Sequence, residues 1–223
     1  MIVTISQPRY LPWLGYFHRI AVSDLLIYLD TVQYTPRDWE NRNKVKTDRG
    51  WAWLTVPVNA RYNALISEVR IDNEQNWQKK HLQTIKTYYS SAPYFSAYSQ
   101  AILAVYEDKV WENLIDLNLY LTQVLFNCLN LEPTQFIQAS TLNVQGKGSD
   151  LILNLCKEVG ANVYLSGSHG KSYLDENKFV EAGVEIVYQD YHHPIYPQLY
   201  SDFQPYMAII DLIFNCGLDS SEI

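Results

Sequence analysis

The sequence has few cysteines, no metal-binding motif and no long apolar run. Its three cysteines, Cys128, Cys156 and Cys216, lie far apart, without the close pairs typical of zinc sites or disulfide frameworks, so free thiols in a reducing compartment are expected. The five histidines form neither an HxH nor an HExxH motif, so no metal site and no cofactor are predicted. No apolar run approaches about 18 residues, and no basic segment followed by an apolar core opens the chain, so neither a membrane span nor a signal peptide is predicted. We therefore expect a cytoplasmic protein without a membrane partner.

Basic charge is also scarce. The 17 Lys and Arg residues against 24 Asp and Glu give a formal net charge of −7, which argues against binding to nucleic acid, where basic side chains must neutralise phosphates. Hydrophobic residues make up 48% of the 223 residues, a globular composition, and the aromatic share of 14% includes 18 Tyr and 6 Trp. Such a share favours pockets with apolar walls that carry hydroxyl groups. We predict one domain over residues 1–223, with a helical insertion at about 74–131.

The spacing of apolar residues predicts a layered α/β fold with a mainly parallel sheet and a helical middle segment. A buried strand at 2–6, a helix at 13–22 and a second strand ending at Asp30 predict an N-terminal βαβ unit. Residues 31–50 have no sustained apolar period and are interpreted as an irregular loop. Further strands are predicted at 51–58, 66–71, 134–140, 161–167 and 184–189, and further helices at 76–89, 95–106, 111–129, 149–160, 175–182 and 204–214.

Loops that follow the strands are the expected ligand sites, because ligands of parallel sheets bind beyond the carboxyl ends of the strands. These loops are 6–13, 30–43, 139–148, 166–174 and 189–198. In the first of them, Gln7 and Pro8 end the strand, while Tyr10 and Trp13 are expected to form an apolar wall of a pocket. Gly15 then allows close approach of the helix.

The segment DWENRNK at 38–44 combines an aromatic ring with a guanidinium group and amides. Trp39 is suited to stack on a flat group, and Arg42, beside Asn41 and Asn43, is suited to donate to an anion or carboxylate. The alternative is a solvated loop in which the Asn residues serve turns.

The segment LSGSHGKSYLD at 165–175 follows a predicted strand and precedes a predicted helix. Gly167 and Gly170 permit close backbone approach, and Ser168 and Lys171 offer donors to a phosphate or carboxylate. The glycine interval is too short for a Walker A motif. An ordinary glycine-rich turn is the alternative.

The segment YQDYHHPIYPQ at 188–198 places two histidines among aromatic residues and prolines. A histidine fixed by a following proline, as His193 is, suits general acid–base chemistry because its ordinary pKa is close to working pH. The alternative is a rigid aromatic lid with a structural histidine. His81, on a predicted helix, faces either a cleft or the surface, and Cys216 is interpreted as an inert thiol at an apolar helix end.

Eight motifs in order make the chain similar to a known family: QPxYLPWxGYF at 7–17, DxVQY at 30–34, WxNRN at 39–43, WLTVPV at 53–58, WxxKH at 77–81, APYF at 92–95, SGxxGKxYLDE at 166–176 and HPxYxQ at 193–198. This string resembles the WbqC-like family from Ile2 to Gly217. The resemblance implies a role linked to bacterial O-antigen and other surface-polysaccharide gene clusters, where attachment of an amino acid such as glycine to an amino sugar has been suggested.

More distantly, the opening resembles the first βα turn of HUP nucleotidylyltransferases, which implies a HUP/Rossmann-like sheet. Their HxGH motif would correspond to residues 13–16, where Trp13 and Tyr16 replace both histidines. The donors that stabilise charge on a nucleotide phosphate are thus missing, which argues against adenylyl transfer.

These observations predict an enzyme that transfers an acyl or aminoacyl group, such as glycyl, to an amine of a sugar or small molecule and forms an amide. An acyl carrier protein is a candidate partner. Two alternatives stay open: a non-catalytic module that binds a nucleotide-sugar or carrier-tethered acyl group, and a nucleotidyltransferase-like enzyme lacking HxGH. The predicted catalytic residues are His193, Asp30 and His81, and the predicted substrate-binding residues are Gln7, Tyr10, Trp13, Tyr34, Trp39, Asn41, Arg42, Asn43, Ser166, Gly167, Gly170, Lys171, Tyr173, Tyr196 and Gln198.

Overall fold

The computed structural model describes residues 1–107, 109–131, 134–200 and 202–217. Its strands are β1 (Ile2–Ser6), β2 (Leu25–Tyr28), β3 (Arg42–Thr47), β4 (Gly50–Thr55), β5 (Val58–Asn59), β6 (Arg70–Ile71), β7 (Gln135–Gln138), β8 (Val163–Ser166) and β9 (Glu185–Tyr188). Its α-helices are α1 (Leu14–Ala21), α2 (Trp77–Tyr89), α3 (Phe95–Glu107), α4 (Leu114–Cys128), α5 (Gly148–Glu158), α6 (Glu176–Glu181) and α7 (Ile209–Cys216). Short 3₁₀ turns lie at Ile66–Glu68, Ala139–Thr141 and Ser168–Ser172. Within the described ranges, none of the helices combines the length and apolar content needed to cross a membrane.

The chain forms two compact units, each assembled from separate stretches of sequence. The first unit comprises Met1–Pro8, Gly15–Val32 and Glu132–His192, and the second comprises Arg9–Leu14, Gln33–Leu131 and His193–Ile223. The single domain over 1–223 stays a prediction.

The first unit is built on a parallel sheet with the strand order β7-β2-β1-β8-β9. Alternate residues of β1 and β2, such as Val3 and Ile27, pack in one core cluster with Leu155 of α5 and Phe179 of α6. The predicted α/β fold with a mainly parallel sheet is therefore confirmed. Because β1 pairs with β2 on one side and β8 on the other, the strand order reverses at β1, and a crevice is expected beyond the carboxyl ends of β1 and β8.

The second unit contains the predicted helical middle segment, α2 to α4, together with α7 and two antiparallel strand pairs. Strands β3 and β4 form a hairpin that runs from the pair Arg42–Thr55 to the pair Thr47–Gly50. The interpretation of 31–50 as wholly irregular is wrong for β3. Its sequence, RNKVKT, does not alternate between apolar and polar residues as a half-buried strand usually does, because polar side chains such as those of Asn43 and Lys46 occupy buried positions.

Two further boundaries differ from the sequence prediction. The strand predicted at 66–71 is a 3₁₀ turn followed by the two-residue β6, which pairs with β5. The closing helix begins at Ile209 rather than 204. The reason is that the amides of Ala208 and Ile209 donate to the carbonyl oxygens of Lys44 and Pro12, so they are not available for a preceding helical turn.

Candidate functional site

The carboxyl edge of the first unit holds seven of the predicted site residues: Gln7, Asp30, Ser166, Gly167, Gly170, Lys171 and Tyr173. Gln7 is half-buried directly after β1, and Ser166 ends β8 with its side chain buried. Lys171 and Tyr173 are exposed, and the Lys171 ammonium lies 5.2 Å from the centre of the Tyr188 ring. Apart from Asp30, these predicted site residues therefore follow β1 and β8, at the edge where the strand order reverses, and their binding of a ligand stays a prediction.

Asp30 is fully buried, and its carboxylate is engaged by protein donors. The amide of Ser140 donates to Oδ1 at 2.9 Å, and the Ser140 hydroxyl and Gln138 Nε2 donate to Oδ2 at 2.6 and 3.2 Å. These bonds tie the end of β2 to the turn after β7. The geometry supports a positioning role for Asp30, and its predicted catalytic role stays a prediction.

Gly167 and Gly170 lie where a side chain has no room. A Cβ on Gly167 would stand 2.7 Å from Nη1 of Arg19, and a Cβ on Gly170 would overlap the Ser166 hydroxyl. Side chains of the protein closely approach both glycines, and the approach of an anion to their backbone stays a prediction.

Arg19 is one residue at this edge that the sequence prediction missed. It lies in the last turn of α1, where it resembles an ordinary basic residue at a helix end. Its side chain donates from Nη2 to the Ser6 hydroxyl at 2.9 Å and lies against Gly167, so a guanidinium group joins the end of β1 to the loop after β8. An anion that binds beyond the ends of β1 and β8 would lie close to this planar guanidinium group, whose N–H groups suit a phosphate or a carboxylate.

His18, beside Arg19 on α1, was also missed. The side-chain nitrogen Nε2 of Gln189 donates to His18 Nδ1 at 3.0 Å and to the Gly15 carbonyl oxygen at 2.8 Å. The centre of the Tyr191 ring lies 5.0 Å from that of the imidazole. Because Nδ1 accepts, the imidazole proton is assigned to Nε2. Partial burial lowers the pKa of His18, which keeps the ring neutral at physiological pH.

In the second unit, Tyr10 and His81 belong to a buried hydrogen-bond chain. His81 Nε2 is 3.1 Å from the Thr55 carbonyl oxygen, which can only accept, so Nδ1 accepts from the Tyr10 hydroxyl at 2.7 Å. The Tyr10 oxygen also lies 2.7 Å from the Tyr106 hydroxyl. Burial lowers the pKa of His81 to about 4. Both ring nitrogens are thus occupied, and the geometry supports a structural role.

His193 lies in an aromatic cluster of the second unit. Its ring is stacked on Trp13 at 6.2 Å with an angle of 6°, and the Tyr206 ring meets it edge-on at 4.9 Å. Nδ1 donates to the Pro194 carbonyl oxygen at 2.7 Å, and Nε2 accepts from the Tyr206 amide at 3.1 Å. A base role would require Nε2 to leave that amide, so the role of His193 as a base stays a prediction.

Tyr196 and Gln198 bind a buried carboxylate of the protein itself. They donate to Oδ2 of Asp211 at 2.9 and 2.7 Å, and the Tyr89 hydroxyl donates to Oδ1 at 3.0 Å. Burial raises the pKa of Asp211 to about 6. This network fixes the first turn of α7.

The WxNRN segment is divided between the interior and the surface of the second unit. Asn43 is buried and donates to the Leu11 carbonyl oxygen at 2.6 Å, and Asn41 donates to that of Val56 at 2.9 Å. Trp39 and Arg42 are half-buried, with the Arg42 guanidinium 4.2 Å from the centre of the Trp53 ring. The two asparagines thus hold the backbone in place, and the ligand-binding role of Trp39 and Arg42 stays a prediction.

Tyr34 is buried close to Arg42 and to a residue that the sequence prediction passed over, Glu40. Burial and the neighbouring Glu40 carboxyl raise the pKa of Tyr34 to about 12, while the Arg42 guanidinium acts in the opposite direction. Glu40 was missed because an acidic residue in a polar segment resembles a solvated loop residue. In the structure only 2% of Glu40 is exposed.

Comparison with known proteins identifies the family. The sequence profile of the WbqC-like protein family matches residues 7–223. The chain belongs to the WbqC-like family. It is 34% identical over 223 residues to the uncharacterized protein Rv1507c of Mycobacterium tuberculosis (strain ATCC 25618 / H37Rv), an alignment that covers 99% of this chain and 96% of that protein. No solved structure gives a significant match.

Proposed function

We propose that this WbqC-like protein transfers an acyl or aminoacyl group to an amine in the cytoplasm, within bacterial surface-polysaccharide or small-molecule biosynthesis. In this reaction the amine nitrogen forms a bond to the acyl carbon, the donor's leaving group departs and the nitrogen loses a proton. An anionic part of the substrate, a phosphate or carboxylate, binds at the carboxyl edge of the parallel sheet in the first unit.

The observation that carries the proposal is the position of Arg19. Its guanidinium bridges the ends of β1 and β8 at the point where the strand order reverses. Parallel sheets bind ligands at such points, and guanidinium groups bind phosphate and carboxylate through paired donors. Exposed Lys171, on the loop after β8, adds positive charge to the same edge.

The test is calorimetric titration with coenzyme A, UDP-N-acetylglucosamine and inorganic pyrophosphate. Arg19→Met keeps the length of the side chain and is expected to weaken binding of the anion by roughly tenfold or more. Arg61→Met, which removes an exposed arginine paired with Glu68, is the matched control. Binding that is equally tight in wild type and Arg19→Met would contradict the assigned anion site. Mass spectrometry of reactions with acyl donors and amino sugars tests for the amide.

A second candidate function, a non-catalytic binding module, has its own support. Each residue predicted to be catalytic has its polar atoms engaged: Asp30 by Ser140 and Gln138, and both ring nitrogens of His81 and His193 by protein groups. Anion binding without an amide product for any donor and amine would favour this function over transfer.

A further inference from the structure

The hairpin of β3 and β4, in the second unit, has one face that lies outside the proposed anion site. Along β4, exposed residues alternate with less exposed ones, so that Trp51, Trp53 and Thr55 share this face. Across the strand pair, Arg42 lies opposite Thr55 and Lys44 lies opposite Trp53, which adds two cations. We call these five residues the outer face of the hairpin.

The two indoles of the outer face are exposed and lie against its cations. Trp51 is 42% exposed and Trp53 is 36% exposed, and their ring centres are 5.5 Å apart. The Arg42 guanidinium lies 4.2 Å from the centre of the Trp53 ring, and the Lys44 ammonium lies 4.3 Å from that of Trp51. These attractive contacts hold both rings at the surface. Large apolar side chains that are exposed side by side are typical of an interaction surface.

Positive charge is concentrated in this hairpin, although the chain as a whole has a formal net charge of −7. Its residues 42–55 include four basic residues and one acidic residue: Arg42, Lys44, Lys46, Arg49 and Asp48. Lys46 is buried, and its ammonium donates to the Asp202 carbonyl oxygen. The other three cations have access to solvent, and none of them forms an ion pair with a residue that the structure describes. The hairpin is therefore suited to attract a surface of negative charge.

The residue types of the outer face restrict what it can bind. Arginine, lysine and tryptophan side chains donate hydrogen bonds and accept none, so a surface rich in acceptors fits them. Indole rings favour the headgroup level of a lipid bilayer, where they meet both apolar chains and water, and basic side chains bind anionic headgroups. We propose that the outer face of the hairpin binds peripherally to a lipid surface with anionic headgroups, the chemistry of the cytoplasmic leaflet of a membrane.

Other occupants fit the outer face less well. A nucleic acid also supplies phosphate acceptors, but its bases stack on open ring faces, and Arg42 and Lys44 lie over faces of the two indoles. A protein partner brings donors as well as acceptors, and among the side chains of the outer face only the Thr55 hydroxyl accepts. The prediction of no membrane partner rests on the absence of an apolar span, which a peripheral contact does not need.

The test is co-sedimentation of the full chain with vesicles of phosphatidylcholine, either alone or mixed with an equal part of phosphatidylglycerol. Binding to the anionic vesicles is expected to be tighter by roughly tenfold or more and to weaken as salt is added. Trp51→Ala and Lys44→Gln are each expected to weaken it by roughly fivefold. Tyr62→Ala and Lys79→Gln, which remove an exposed ring and an exposed cation elsewhere in the same unit, are expected to leave it unchanged.

Two outcomes would overturn the proposal. The first is that wild type does not sediment with anionic vesicles at about 1 mM lipid, which would detect binding tenfold weaker than that of a single myristoyl chain. Titration with an oligothymidylate and sedimentation velocity then show whether a nucleic acid or a second copy of the chain covers the outer face instead. The second is unchanged vesicle binding by a Trp51→Ala or Lys44→Gln variant whose thermal midpoint shows that it is folded.

Discussion

Replacement of Glu40 by Gln should stabilise the protein, and by an amount that depends on pH. The pKa of Glu40 is about 7 in the folded protein against an ordinary value of 4.5. Each pKa unit corresponds to about 1.4 kcal/mol, so ionising this carboxyl costs the folded state up to about 3 kcal/mol. Because the folded state holds the proton more tightly, the cost is absent below pH 4.5, grows through pH 7 and is complete above it. Gln does not ionise and does not incur this cost.

The measurement is urea unfolding of wild type and Glu40→Gln at pH 5, 6, 7 and 8. We expect the difference in the free energy of unfolding between the two proteins to shift in favour of the variant by about 2–3 kcal/mol between pH 5 and 8. Glu112→Gln removes an exposed carboxylate and is expected to show no comparable trend. A difference that is constant with pH, or that shifts in favour of wild type as the pH rises, would refute the reasoning that Glu40 is held in a desolvated site.

Two further predictions concern packing and protonation. His81→Asn should lower the free energy of unfolding at pH 7 by about 1–3 kcal/mol through lost hydrogen bonds. This difference between variant and wild type should shrink from pH 6.5 towards pH 4, because His81 binds a proton in the unfolded wild type before it does so in the folded one, and the wild type therefore loses stability. Denaturant unfolding across that pH range measures the difference. A difference that is constant with pH would contradict a buried neutral ring. Gly170→Ala should destabilise by about 1–3 kcal/mol, because its Cβ overlaps the Ser166 hydroxyl, and Ser166→Ala should recover part of the loss. The thermal midpoints of the two single variants and the double variant decide this, and purely additive losses would be inconsistent with the overlap.

The parallel sheet was predictable because its strands carry their own signal. IVTIS and LLIY are short apolar runs separated by a helical pattern, and the connection through a helix requires a parallel pair. The hairpin strand β3 was not predictable in this way. Lys46 is buried there with its ammonium donating to the Asp202 carbonyl oxygen, a contact distant in sequence that no local pattern reveals.

In the candidate site, too, local sequence patterns predicted some features and missed those that depend on contacts distant in sequence. That Gly167 and Gly170 leave no room for a side chain was predictable because a glycine-rich segment after a strand indicates close approach, but the sequence did not reveal that Arg19 and Ser166 are the groups in contact. Arg19 was not, because a basic residue in the last turn of a helix is common, and only the fold brings its side chain to Ser6. His81 and His193 were predicted to be catalytic because the ordinary pKa of histidine lies near working pH, yet burial lowers the pKa of both.

Three buried carboxyl groups differ in how many protein donors satisfy their oxygens. Asp30 and Asp211 each accept three hydrogen bonds from protein donors, which offset part of the cost of burying the group, although burial still raises the pKa of Asp211 to about 6. Glu40 is as deeply buried, but its Oε2 has no such partner among the described residues. A carboxyl placed only for packing would be improved by an apolar residue of similar size, since desolvation then has no compensation. An uncharged side chain at position 40 is therefore expected to stabilise the folded protein, which the comparison of wild type with Glu40→Gln measures.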